Sequence, residues 1–148
     1  MWPSISKGNI IMDKVKVLFL CVENSCRSQI AEALAKKYGS DIVEAYSAGS
    51  KPSGKINPMA VEVMKEAGVD ISNNVSKGFK DLPFKQVDYI VGMGCGDACP
   101  IFPAAEFIEW SIPDPKNQPI EFFRKVRDEI EKNVKELIGK IKDHNEQR

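Results

Sequence analysis

The sequence has no excess of charge of either sign. Its 148 residues carry 21 basic and 21 acidic side chains, which gives a net charge of zero. Without a broad basic field or a polybasic run, we expect no binding to nucleic acid or to a membrane surface. No apolar run is long enough to span a bilayer. The hydrophobic fraction of 43% and the charged fraction of 28% are instead typical of a soluble globular domain.

Histidine and export signals are also scarce. His144 is the only histidine, and so near the C-terminal end it is expected to be a helix-end cation rather than a catalytic group. The apolar run at 15–22 is interrupted on its approach by Lys14 and Lys16, and no small-residue cleavage site follows it. We therefore expect a cytoplasmic protein.

Strand and helix patterns alternate along the chain. Residues 1–12 have no such pattern and are expected to form a flexible N-terminal extension, whereas 13–148 are expected to form a single domain. Strands are predicted at Lys14–Leu20, Ile42–Tyr46, Val87–Met93 and Glu106–Ile112, and helices at Ser28–Tyr38, Asn57–Ala67 and Ile120–Ile141. This order predicts an α/β fold, a small three-layer sandwich with a four-stranded parallel sheet flanked by helices.

One stretch has the composition of an anion-binding loop. It reads Cys-Val-Glu-Asn-Ser-Cys-Arg-Ser at positions 21–28, between the first predicted strand and the first predicted helix. Backbone N–H groups in such a loop point inward, the helix adds its positive end, and Arg27 offers a planar two-pronged donor. The loop therefore predicts a tetrahedral oxyanion ligand, bound by Val22, Glu23, Asn24, Ser25, Cys26 and Arg27.

Cys21 is the predicted nucleophile of this loop. The positive field around it favours the thiolate, which can attack the central atom of the oxyanion. Ser28 is expected to donate a hydrogen bond to that thiolate, with a plain helix N-cap as the alternative role. Asn24 is expected to take the left-handed turn that aims the loop amides inward. We interpret Cys26 as a packed bystander thiol, with a catalytic role as the alternative.

Two further cysteines, Cys95 and Cys99, lie far along the chain from the loop. Glycines at 92, 94 and 96 surround the first of them, which predicts a flexible or tightly turned segment. In a reducing compartment, four cysteines are typical of catalysis or metal binding rather than of a disulfide framework. Structural zinc sites favour C-x2-C pairs, whereas the pairs here are C-x4-C and C-x3-C, so zinc is the weaker interpretation.

Three motifs together resemble the low-molecular-weight tyrosine phosphatase family. They are the cysteine loop, the S-A-G at Ser47–Gly49 and the late D-P at Asp114-Pro115. Phosphatase members usually carry an aromatic residue after S-A-G and another near the D-P, and neither stretch has one here. The runs S-C-R-S-Q-I-A-E-A and I-N-P-M-A-V-E-V-M-K-E-A-G-V-D-I-S are instead similar to the thioredoxin-coupled arsenate reductases of that family, as are the two cysteines after the third predicted strand.

This resemblance implies reduction of arsenate to arsenite and a role in arsenical resistance, with phosphate or sulfate as substrate analogues. Cys21 would form a covalent adduct with arsenic, Arg27 would clamp the oxyanion, and Asp114 would act as general acid. Cys95 would attack the Cys21 sulfur and release arsenite, and Cys99 would then move the disulfide to itself and Cys95, where thioredoxin or a related dithiol protein reduces it.

Other interpretations stay open. The runner-up is a low-molecular-weight phosphatase that hydrolyses phosphomonoesters through a phosphocysteine. A non-catalytic redox or metal-binding module is a third possibility. Asp114, between two prolines, could be only a turn former.

Some reductases of this family bind a potassium ion beside the loop. The matching positions all carry oxygen, the ligand that hard cations prefer, and they are Asn24, Glu32, Ser47 and Asp70. The alternative is that Glu32 and Asp70 are solvated or capping side chains. The resemblance implies no cofactor that the reaction requires.

Two features depart from the family pattern. Cys95 and Cys99 are closer in sequence than in the best-known members, so their disulfide would close a tighter ring. Glu23 replaces a small residue of the loop, and we expect its side chain to point outward, away from the anion.

Overall fold

The computed structural model describes residues 14–94 and 103–146, and its four strands form one parallel sheet. The strands are β1 (Val15–Cys21), β2 (Val43–Gly49), β3 (Val87–Gly92) and β4 (Ala104–Glu109), and their order across the sheet is β2-β1-β3-β4. This confirms the predicted parallel α/β fold. The predicted extension at 1–12 lies outside the described residues, as do Cys95 and Cys99.

Within the described residues three α-helices accompany the sheet: α1 (Arg27–Gly39), α2 (Pro58–Glu66) and α3 (Ile120–Glu146). The predicted start of α2 is confirmed, because the Asn57 side chain accepts a hydrogen bond of 2.9 Å from the backbone N–H of Met59. None of the helices in the two described ranges has the length and apolar character needed to cross a membrane.

The sheet packs on both faces. The side chains of β1 alternate between the two faces, as a strand requires. One apolar cluster joins Val17 and Phe19 to buried residues of all three helices, including Ile30, Met64 and Phe123. A smaller cluster, on the other face, joins Leu18, Leu20 and Ile90 to Phe79, Leu82 and Phe84, in and after the 3-10 turn Phe79–Asp81. A strand buried on both faces explains the continuous apolar run of β1.

Two strands differ from the predicted ones by more than one residue at an end, β2 and β4. β2 continues through the S-A-G motif, three residues beyond its predicted end at Tyr46, because Ser47 and Gly49 pair in register with Phe19 and Cys21 of β1. β4 covers Ala104–Glu109 rather than Glu106–Ile112, and its pairing partner β3 ends at Gly92, opposite Glu109. The extension of β2 places the S-A-G motif directly beside the cysteine loop.

Candidate active site

The cysteine loop connects the end of β1 to the start of α1. Asn24, in the middle of the loop, has a φ of 52°, the left-handed conformation that the sequence predicted for it. Gly49 lies against the loop so closely that a Cβ there would come within 2.5 Å of the Val22 carbonyl oxygen. The glycine of the S-A-G motif is therefore needed because the loop backbone occupies the space of a side chain.

A cleft of about 150 Å³ opens over this loop. Its lining combines residues of the loop with polar groups from two other segments. The described residues that form it are Cys21, Val22, Glu23, Ser25, Cys26, Arg27, Asn57, Asp114 and Lys116. None of these described residues is aromatic. The cleft is thus small and lined by both basic and acidic side chains, and its described lining suits a compact oxyanion better than an aromatic phosphoester.

Cys21 Sγ lies 2.9 Å from Ser28 Oγ, and both residues are buried. Asn24 Nδ2 donates a hydrogen bond of 2.7 Å to the same Ser28 oxygen. Since that oxygen already accepts from Asn24, its own proton is free to point at the sulfur. The arrangement can therefore stabilise a thiolate at Cys21 by a charge-assisted hydrogen bond.

Two hydrogen bonds to its oxygen fix the orientation of the Asn24 side-chain amide. Its Oδ1 accepts hydrogen bonds from Gln29 Nε2 at 2.9 Å and from the backbone N–H of Lys77 at 2.8 Å. An oxygen that accepts two N–H groups leaves the Nδ2 group as the one that faces Ser28. The polar chain from Lys77 through Asn24 and Ser28 to the Cys21 sulfur is therefore continuous.

Arg27 is buried at the floor of the cleft. Its Nη1 donates to the carbonyl oxygen of Ile112 at 3.1 Å, and its Nη2 lies 3.5 Å from Asp114 Oδ2. Gly94 packs against the guanidinium so tightly that a Cβ on it would sit 2.4 Å from Nη1. The guanidinium is thus positioned by two other segments of the chain, one at Gly94 and one at 112–114.

Asp114 is at the rim of the cleft with a side chain 53% exposed. Its Oδ1 accepts from the backbone N–H of Lys116 at 3.0 Å, in the turn that Pro113 and Pro115 flank. The Lys116 ammonium reaches across to Glu23 Oε2 at 2.7 Å. Glu23 therefore turns to the rim, and the ion pair raises the pKa of Lys116.

Cys26 is buried beside Cys21. Burial in the apolar surroundings, followed by the proximity of Cys21, raises the pKa of the Cys26 thiol far above its usual range. A thiol that stays protonated is a poor nucleophile. This supports the interpretation of Cys26 as a bystander.

Groups of the chain itself contact each of the four residues predicted as potassium ligands. Glu32 and Ser47 meet behind the loop, where Lys77 Nζ lies 3.1 Å from Ser47 Oγ and 3.4 Å from Glu32 Oε1. Asp70 is exposed, and it accepts a hydrogen bond from the backbone N–H of Ser72 at 2.8 Å. The Lys77 ammonium already lies between these oxygens, so a second cation does not fit there. In the described ranges no cluster of three acidic, cysteine or histidine residues could hold a metal ion.

Sequence reasoning missed several residues of the site. Four groups contact Arg27 or Asn24 of the loop only because the fold brings them there. They are the Ile112 carbonyl, Gly94, Gln29 and Lys77. Gly94 could have been found, since glycines cluster around the second cysteine pair. Lys77 lies 53 positions after Asn24, and nothing in its neighbourhood marks it.

Comparison with known proteins gives one family. The family model described as "Low molecular weight phosphotyrosine protein phosphatase" matches residues 16–147. "Arsenate reductase 2" of Staphylococcus epidermidis is 44% identical over 123 residues, which are 80% of this chain and 92% of that protein.

Two solved structures are similar over most of this chain. One, described as an arsenate reductase in the phosphate binding state, has a TM-score of 0.77 and 35% identity and covers 86% of this chain and 98% of its own. The other is a thioredoxin-dependent arsenate reductase of Corynebacterium glutamicum, with a TM-score of 0.74 and 35% identity over 94% of this chain and 67% of its own.

Proposed function

The chain belongs to the low molecular weight phosphotyrosine protein phosphatase family, and within that family we propose that it reduces arsenate to arsenite. Arsenate has the shape and charge of phosphate, so the loop at 21–28 suits it. The relatives described above that carry a named activity are arsenate reductases. The cleft agrees with this choice because its described lining has no aromatic wall for a phosphotyrosine ring.

The contact between Gly94 and Arg27 is the observation that carries the proposal. Gly94 is the residue immediately before Cys95, and it packs directly on the guanidinium that would clamp the anion. Met93, one residue earlier, donates its backbone N–H to the Leu20 carbonyl oxygen at 2.8 Å. The described chain therefore runs to the edge of the cleft just before the second cysteine pair begins, which supports an attack by Cys95 on the loop cysteine.

The first chemical step uses the loop alone. The Cys21 thiolate attacks arsenic, a sulfur–arsenic bond forms, and one oxygen leaves as water with a proton from Asp114. Loop N–H groups and Arg27 stabilise the charge on the remaining oxygens in the transition state. Ser28 holds the thiolate before the attack through the 2.9 Å contact.

The second step is the reduction. The Cys95 thiolate attacks the Cys21 sulfur, a Cys21–Cys95 disulfide forms, and the electron pair of the sulfur–arsenic bond goes to arsenic. Arsenic(V) thereby becomes arsenic(III), which leaves as arsenite. The Cys99 thiolate then attacks Cys95, so Cys21 is released as a thiolate and the disulfide moves to Cys95 and Cys99.

A dithiol protein completes the cycle by supplying two electrons to that disulfide. Thioredoxin is the proposed reductant, since one of the similar structures is a thioredoxin-dependent enzyme. We also propose a cytoplasmic location, because the relay needs cysteines that a reducing compartment keeps as thiols.

Arsenate-dependent oxidation of thioredoxin tests this function. The wild-type protein should turn over arsenate with thioredoxin, thioredoxin reductase and NADPH, and both Cys95→Ser and Cys99→Ser should abolish multiple turnovers. A parallel assay with glutaredoxin and glutathione distinguishes the reductant. Turnover that survives the loss of Cys95 would overturn the cysteine relay.

Hydrolysis of phosphomonoesters is the alternative function, and the cysteine loop favours it as much as it favours arsenate reduction. Hydrolysis of a small aryl phosphate needs only the loop and the general acid. It should therefore survive Cys95→Ser and Cys99→Ser, and Cys21→Ser should abolish it. A hydrolytic rate well above the arsenate rate would make phosphatase the primary activity.

A further inference from the structure

Behind the cysteine loop, the carboxylate of Glu32 is almost buried, with a side chain only 9% exposed. One of its oxygens, Oε1, accepts a hydrogen bond from Ser47 Oγ, which is itself fully buried. A buried carboxylate costs free energy unless a cation balances it, and beside an anion site its negative field opposes ligand binding. A positive charge is therefore required at this position.

Lys77 supplies that charge from within the chain. Its Nζ lies 3.4 Å from Glu32 Oε1 and 3.1 Å from Ser47 Oγ, so the ammonium contacts both oxygen-bearing groups. Its backbone also fastens two parts of the site. The N–H donates to Asn24 Oδ1 at 2.8 Å, and the carbonyl oxygen accepts from the Gly49 N–H at 2.9 Å.

The segment around Lys77 is joined to the loop at further points. Ser76 Oγ donates to the Glu23 carbonyl oxygen at 2.7 Å, and Gln29 Nε2 donates to the Val75 carbonyl oxygen at 3.1 Å. Lys77 is therefore not a mobile surface side chain that happens to lie near a carboxylate. The backbone that carries it is part of the scaffold that sets the conformation of Asn24.

We propose that the Lys77 ammonium is a built-in cation that balances Glu32 and contacts Ser47 behind the loop, so that anion binding needs no bound potassium, while the backbone of the same residue holds Asn24. Lys77 is a positioning residue, since it reaches the Cys21 sulfur only through Asn24 and Ser28. The inference rests on the proposed use of the loop for an oxyanion, and it does not depend on arsenate reduction.

Lys36 provides a matched control on the same carboxylate. Its Nζ lies 2.8 Å from Glu32 Oε2, closer than that of Lys77, but its side chain is 59% exposed against 30% for Lys77. Lys36 is also four residues from Glu32 on the surface of α1, where such pairs contribute little. Removal of either lysine side chain takes one ammonium from Glu32, but only the Lys77 ammonium also contacts Ser47, in the S-A-G motif beside the loop.

The experiment measures the affinity for inorganic phosphate, without turnover, in potassium chloride and in choline chloride at equal ionic strength. The wild-type affinity should be the same in both salts within about twofold. Lys77→Met should weaken phosphate binding about tenfold in choline chloride, and potassium should recover at least threefold of that loss, because the oxygens of Glu32 and Ser47 are then free of the ammonium and can bind the ion. Lys36→Met should stay within about twofold of wild type in both salts.

Lys77→Gln is the second variant, because it keeps a polar group near Glu32 and Ser47 and removes only the charge. Its melting temperature should rise in potassium chloride relative to choline chloride, whereas that of the wild type should not. A several-fold gain in wild-type affinity on adding potassium would overturn the proposal. Equal behaviour of the Lys77 and Lys36 variants, or a Lys77 defect that potassium does not reduce, would also overturn it. If phosphate fails to bind the wild type at all, the proposed function fails instead.

Discussion

Ser28 Oγ and Cys21 Sγ lie 2.9 Å apart at the junction of β1 and α1, and Asn24 donates to the same hydroxyl oxygen. The Ser28 hydroxyl can therefore direct its own proton at the sulfur when Cys21 is a thiolate. A hydrogen bond to a thiolate is worth more than one to a neutral thiol, so the contact favours the reactive form of Cys21.

Ser28→Ala should consequently slow alkylation of Cys21 by iodoacetamide at pH 7 about tenfold, with the label located by mass spectrometry. Arsenate kcat/KM should fall by a similar factor. Ser53→Ala is the control, since Ser53 is exposed and its hydroxyl contacts Lys55 rather than the thiol. Unchanged alkylation in Ser28→Ala would show that the hydroxyl is only a packing group.

Asp114→Asn tests the general acid. Asparagine keeps the hydrogen bond that the Asp114 side chain accepts from the Lys116 N–H, so the turn should remain intact. It has no proton to give to a leaving oxygen, and hydrolysis of an aryl phosphate should therefore slow by about 10²-fold or more. An ester with a very good leaving group should be affected much less, and an equal loss for both esters would contradict proton donation.

Gly94→Ala should disturb the position of the Arg27 guanidinium rather than the reactions of the cysteine sulfurs. A Cβ at this position would lie 2.4 Å from Arg27 Nη1, and the φ of 89° disfavours any side chain. We expect KM for arsenate to rise about tenfold as the guanidinium is displaced. Gly54→Ala is the matched control, because Gly54 also has a positive φ, of 86°, but open space around it. Equal effects of both substitutions would show that backbone strain alone is responsible.

Stability at acid pH should depend on Glu66. This carboxylate at the end of α2 accepts hydrogen bonds from Arg124 and Arg127 of α3, and these lower its pKa from 4.5 to about 2. A depressed folded-state pKa means that the stabilisation is present above pH 4.5 and is lost as the pH falls toward 2.

Glu66→Gln should therefore have a lower urea midpoint than wild type at pH 6. Between pH 5 and pH 3, the urea midpoint of this variant should fall less than that of wild type. The exposed Glu62, on the same helix, gives the control Glu62→Gln, which should follow the wild-type pH dependence. If the urea midpoint of wild type fell with pH in parallel with that of Glu66→Gln, the link between stability and the protonation of Glu66 would be contradicted.

Much of the site could be predicted because its determinants are local. The left-handed Asn24 and the start of α2 at Asn57-Pro58 follow from residue types and their immediate neighbours. The parallel sheet follows from the alternation of strand and helix patterns. A cysteine loop after a buried strand also indicates its position at the carboxyl edge of the sheet.

The rest depended on contacts between distant segments. The family resemblance implies Asp70 as a cation ligand, but the fold gives it a local hydrogen bond from the Ser72 N–H and brings Lys77 to Glu32. The S-A-G motif contains turn-forming residues, yet its register with β1 makes it strand. The spacing of residues in the sequence predicts neither the contact of Lys77 with Glu32 nor the strand conformation of the S-A-G motif, because both depend on how the segment at 74–77 and strand β2 pack against the loop.

The most direct test of the cysteine relay is mass spectrometry of the disulfides after a single turnover with arsenate, in the absence of any reductant. The account predicts a Cys95–Cys99 disulfide in the wild type and a trapped Cys21–Cys95 disulfide in Cys99→Ser, each accompanied by one equivalent of arsenite. Arsenite formation without a disulfide at Cys95, or a disulfide that involves Cys26 instead, would contradict it.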